Sequence, residues 1–137
     1  MGANFDIAVD AARSLVRLEI AGLFSPDDVR RLSLAVIDAR RARGCSSTSY
    51  VVLCDARGMR IQPQGTVTAF QSLLADPQHR ASRLAFAIPR SLARAQLSRV
   101  LGGRTVRIFD DLTSAEAWVL TGEEPRERMF QPMLRSA

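Results

Sequence analysis

Lysine is missing from this chain of 137 residues, so all 19 of its basic side chains are arginines that stay charged near neutrality. Cysteine is reduced to Cys45 and Cys54, too few for a disulfide framework and without metal-ligand spacing, and both read as reduced thiols. The single histidine, His79, stands in Asp76-Pro77-Gln78-His79-Arg80 with no nucleophile elbow beside it. That context predicts a surface loop and gives no support to Ser-His-Asp chemistry. No apolar run approaches the ~20 residues that span a bilayer. The first fifteen residues carry Asp6 and Asp10 and no basic segment ahead of an apolar one, so a secretory leader is not expected and a cytoplasmic location is. Asp6 also occupies the place where N-myristoylation wants Ser or Thr.

With one Trp and one Tyr, the chain is short of base-stacking side chains. Its arginines, among them Arg17, Arg30, Arg40, Arg80 and Arg126, are scattered rather than striped. The net charge of +5 therefore predicts no specific nucleic-acid interface. What the sequence does have is 47% hydrophobic residues against only 6 prolines, enough to bury one core and to form one domain.

Phe5-Asp6-Ile7-Ala8-Val9-Asp10 and Leu15-Val16-Arg17-Leu18-Glu19-Ile20 alternate like two strands of a hairpin. Ser25-Pro26-Asp27-Asp28 supplies an N-cap, a first-turn proline and two carboxylates, and opens a helix over 26–43 on Val29, Leu32, Val36 and Ala39. Arg40, Arg41 and Arg43 suit its C-terminal dipole, and Gly44 suits a left-handed cap. Tyr50-Val51-Val52-Leu53-Cys54 reads as a strand covered on both faces, followed by a polar loop over 55–62. A helix over 64–75, a strand over 84–88, a helix over 91–101 and a strand over 105–109 follow. Gly102-Gly103 reads as a helix stop because it precedes a strand and lacks a phosphate-loop pattern. Thr113 and Glu116 form the signature of a capping box for a last helix through Leu120, on which Trp118 has a packing role. The order β-β-α-β-α-β-α-β-α predicts a single-domain α/β sandwich with a mostly parallel five-stranded sheet and an antiparallel first strand.

Open parallel sheets bind ligands beyond the carboxyl ends of their strands, which singles out Asp55, Arg57, Arg60, Gln62 and Gln64 after the central strand. Arg90 and Ser91 lie after the next, and Asp110 and Asp111 after the last. Arginines near the helix at Gln64 could hold an anion with its free N–H groups. The alternative is that Asp55-Ala56-Arg57-Gly58 is a polar turn with an internal ion pair. Cys54 reads as a small buried residue.

This order, with Val51-Val52-Leu53-Cys54-Asp55-Ala56-Arg57-Gly58-Met59 and with Ile108-Phe109-Asp110-Asp111 ahead of Ala115-Glu116-Ala117-Trp118, resembles the SpoIIAA-like branch of the STAS superfamily over residues 5–120. The resemblance implies an anti-sigma-factor-antagonist type of regulatory module, with a further likeness to lipid carriers of the Sec14 type. Phospho-switched members carry Asp-Ser-x-Gly where this chain has Gln62-Pro63-Gln64-Gly65. Pro63 has no hydroxyl and Thr66 is out of register, so no phospho-switch is expected. The sequence thus predicts a non-enzymatic regulatory or protein-interaction module without cofactor or metal, working with a protein partner or as a homodimer. The alternative is a carrier or sensor of a small apolar or acidic ligand. Residues 121–137 form a separate tail, in which Met129, Phe130, Met133 and Leu134 are expected to dock.

Overall fold

The computed structural model describes residues 2–45, 49–101 and 106–123. The expected start of the last strand at Thr105, the Gly102-Gly103 stop and the tail from 124 onward lie outside them.

Strand β1 (Asn4–Asp10) turns back on β2 (Leu15–Gly22) through a short 3-10 turn. Asp10 closes this turn by accepting from the Arg13 backbone N–H and side chain. The two strands pair antiparallel, with Ile7 opposite Leu18. Helix α1 (Pro26–Ala42) begins with a reciprocal cap: the Ser25 hydroxyl accepts from Asp28 N–H at 3.0 Å, and the Asp28 carboxylate accepts from Ser25 N–H at 2.9 Å. These bonds, helped by Arg31, hold the Asp28 carboxyl below its ordinary value. Gly44, at φ 72°, takes the left-handed conformation that lets the chain leave the helix.

Strands β3 (Val51–Met59), β4 (Arg83–Ala87) and β5 (Val106–Phe109) then join β2 in parallel. They are separated by α2 (Gln64–Ala75) and α3 (Leu92–Val100), and α4 (Leu112–Thr121) follows β5. The sheet order is β1-β2-β3-β4-β5, the order of the chain itself. Successive right-handed crossovers in one direction put α1, α2 and α3 on one face. There Val29, Leu32, Val36, Phe70, Leu73 and Leu97 pack on Ile20, Cys54, Ala56 and Phe86. Helix α4 covers the other face, packing Ala115, Trp118 and Val119 on Leu15, Val51, Leu53, Ala85 and Phe109.

Two boundaries differ from the sequence reading. The expected polar loop over 55–62 is strand as far as Met59, because β3 continues to pair with β2 up to Gly22↔Met59 after its pairing with β4 has ended at Asp55↔Ala87. Its outer half has a neighbour on one side only and need not be apolar. Gly58 fits there because a Cβ in its place would come within 2.7 Å of the Ala21 side chain. The last helix is capped by Asp111, whose carboxylate accepts from Ser114 N–H at 2.7 Å, and Thr113 already lies inside it. Asp111→Ala is therefore expected to cost about 1 kcal/mol in a denaturant melt and Thr113→Ala almost nothing. A capping box at Thr113 would give the reverse.

Candidate functional site

Between the sheet and the layer of α1, α2 and α3 lies a cavity of about 120 Å³. Its walls are apolar, with Ile20, Val52, Phe70, Leu73, Phe86 and Leu97 among them. The few polar side chains on it fall at two ends. Arg60, Gln62 and Gln96 mark the carboxyl ends of the parallel strands, and Tyr50 and His79 mark the amino ends, just before β3 and β4.

At the first end, Gln62 is 7% exposed and ties three segments together. Its Oε1 accepts from Phe24 N–H at 2.8 Å, and its Nε2 donates to the carbonyls of Gly22 at 2.9 Å and Arg60 at 2.6 Å. Its backbone exchanges bonds of 2.8 and 2.9 Å with the Gln96 side chain on α3. Thr66 is buried behind it and donates its hydroxyl to the Phe24 carbonyl. Pro63 precedes α2 with no side-chain cap.

The sequence-predicted cluster is divided by the pleat. Cys54 and Ala56 face the cavity side, so Asp55 and Arg57 project to the face that carries α4. There they form a bidentate pair, with Arg57 Nε and Nη2 at 2.8 and 2.7 Å from the Asp55 oxygens. The Arg57 side chain holds the Asp55 carboxyl below its ordinary value. The internal pair is present, in a strand rather than a turn. Arg60 is exposed at the cavity mouth. Gln64 is exposed on the first turn of α2 and reaches Thr68 Oγ1 at 3.5 Å. Ser91 caps α3, accepting from Arg94 N–H at 3.1 Å, with Arg90 exposed beside it. Arg94 pairs with Asp110, and Asp111 is occupied with capping α4. Cys54 is 2% exposed, and burial pushes its thiol well above the ordinary value, which leaves it a packing residue.

The second end was not visible in sequence, and it corrects the reading of His79 as a surface residue. His79 is half-buried against α1, where Nε2 lies 2.7 Å from the Ser33 hydroxyl. Burial holds the imidazole below its ordinary value; Asp76 acts against that, and the Arg40 charge adds to it. The serine–histidine contact alone does not make a nucleophile. Ser33 is in the interior of α1, where backbone N–H groups are committed to the helix and supply no oxyanion hole, and no hydrogen bond joins the His79 ring to a carboxylate among the described residues. Arg40, read in sequence as one of three arginines at the C-terminal dipole of α1, turns inward and is 7% exposed. Its guanidinium carbon lies 3.9 Å from the centre of the Tyr50 ring. Nε donates to the Cys45 carbonyl at 3.1 Å and Nη1 to that of Gln78 at 2.8 Å.

Among the described residues no group of three or more His, Cys, Asp or Glu is placed to hold a metal ion. No described helix is long and apolar enough to cross a membrane.

No family model matches the sequence, and no curated protein matches it either. The structure is similar to that of an uncharacterised protein of the DUF3478 family from Shewanella loihica PV-4, known from a crystal structure at 2.25 Å resolution and described as having a SpoIIAA-like fold. The TM-score is 0.62 at 14% identity, over 86% of this chain and 94% of the other. The fold of this chain is accordingly SpoIIAA-like, as the strand and helix order had implied.

Proposed function

We propose that this domain is a non-enzymatic binding module that carries or senses a small apolar molecule in the cavity under α1, α2 and α3. The observation that supports this reading is the cavity itself. It has about 120 Å³ of space with apolar walls; cavities of this order lined by Leu, Ile and Phe stay dry and accept benzene-sized guests. A well-packed core of this size has no comparable void. The Gln62 tie across the mouth links ligand occupancy to the loops that follow β2 and β3, which is how a sensor would report it.

A regulatory module acting through a protein partner or homodimer is the second reading. It draws on Leu23, Ile61 and Leu92, which are 38%, 51% and 72% exposed in the loops after β2 and β3 and at the start of α3. Three apolar side chains in the segments following consecutive parallel strands share one end of the molecule, and such patches suit partners.

Native mass spectrometry of the protein purified from its own host separates the two. A retained small molecule supports the carrier, and a co-purifying protein or a bare homodimer supports the interaction module. An empty monomer whose amide spectrum is unchanged by saturating toluene, benzyl alcohol, benzoate and hexanoate alike would defeat the carrier reading.

A further inference from the structure

We propose that the ligand of this cavity is an apolar monocarboxylate, its carboxylate lodged at the buried end against the Tyr50 hydroxyl and within the field of Arg40. The inference rests on the carrier reading and adds the chemistry of the head group.

Tyr50 lines the cavity and is 2% exposed, yet its hydroxyl has no hydrogen-bond partner among the described residues. Buried hydroxyls are ordinarily paired, so an unpaired one beside a void points to an acceptor that occupies the void. Arg40 supplies the sign of that acceptor. It is a buried cation with no carboxylate bonded to it among the described residues, held by two neutral carbonyls and the face of the Tyr50 ring. Arg40 is not itself on the cavity wall; its charge, out of water and bonded only to neutral partners among the described residues, acts across the Tyr50 ring as a positive field. An alcohol or amide would satisfy Tyr50 and leave that field unanswered, whereas a carboxylate answers both.

The other groups at this end agree with an anion. His79 is held near Ser33 Oγ and flanked by Arg40 from α1 and by Asp76 on its own turn. Its burial favours the neutral form; an anion beside it would favour the charged form and add a second donor. Arg60, at the opposite end, is exposed and hydrated, where attraction for a carboxylate is weak. The apolar length between the two ends takes the hydrocarbon, on the scale of a six-carbon ring or chain.

Calorimetry and amide chemical shifts with benzoate, hexanoate, benzyl alcohol and toluene test this on the full chain. Benzoate is expected to bind roughly tenfold or more tighter than benzyl alcohol. Tyr50→Phe keeps the ring on Arg40 and removes only the oxygen, so it should weaken benzoate by about tenfold and leave toluene unchanged. Arg60→Ala should weaken benzoate far less than Tyr50→Phe does. If toluene binds and benzoate does not, or if benzoate binds wild type and Tyr50→Phe equally, the carboxylate assignment fails while the carrier reading stands. Loss of benzoate in Arg60→Ala rather than Tyr50→Phe would place the carboxylate at the mouth and equally overturn it. Failure of all four probes to bind removes both proposals.

Discussion

Trp118→Ala is expected to cost about 3–5 kcal/mol of unfolding free energy, the upper range for a truncated core residue. Trp118 is 4% exposed and packs at a tilt against Phe109, with ring centres 5.9 Å apart, and among the described residues α4 is the one helix on its face of the sheet. On the opposite face three helices can close over a missing side chain. Here, among the described residues, Ala115, Val119 and the half-buried Leu112 and Leu120 of α4 remain to do so, and collapse is correspondingly poor. Because this is the sole tryptophan, the denaturant midpoint has to be followed by circular dichroism rather than by fluorescence. A loss below about 1 kcal/mol, the mean for an arbitrary substitution, would mean that α4 is not part of the core.

Gln62→Leu should be nearly as damaging, by about 2–4 kcal/mol, for a polar reason rather than a packing one. The substitution strands the Phe24 N–H and takes a donor from the Gly22 and Arg60 carbonyls in a place that water reaches poorly. Each such group costs about 1–3 kcal/mol when left unpaired in the interior. Amide exchange at Phe24 should accelerate as well, which separates loss of this tie from a general weakening. Gln64→Leu, two residues on and exposed, is the matched control and should stay within about 0.5 kcal/mol of wild type. Equal effects of the two substitutions would show the tie to be absent in solution.

The contrast between Gln62 and Gln64 also shows where sequence reading stops. Strands and helices were legible because their signals are local: the alternation from Phe5 to Asp10, the Ser25-Pro26 start, the apolar run from Val51 to Cys54. The extension of β3 to Met59 was not, since a polar strand paired on one side has the composition of a loop. The cap at Asp111 was overshadowed by a better-known pattern beginning two residues later. Within the site, the mouth followed from the rule about strand ends, although the pleat sends Asp55 and Arg57 to the far face. The buried end could not have been found this way. A serine inside a helix, an arginine near a helix terminus and one tyrosine ahead of a strand each have an ordinary local reading. Only the return of the chain brings Ser33 to His79 and Arg40 to Tyr50.

The sheet order β1-β2-β3-β4-β5 bears on how the chain assembles. Every strand pairs with the one made just before it, so no strand has to wait for a distant segment, and the loop entropy of each addition is only that of one intervening helix. A ribosome releasing the chain from its amino end would let the hairpin form first and each β-α unit add to a growing edge. The exception is α4. The Leu15, Leu53 and Ala85 face is laid down strand by strand, and among the described residues its cover is the last helix to be made. A chain halted before residue 112 would lack Ala115, Trp118 and Val119 over this apolar face, which would then be exposed to association.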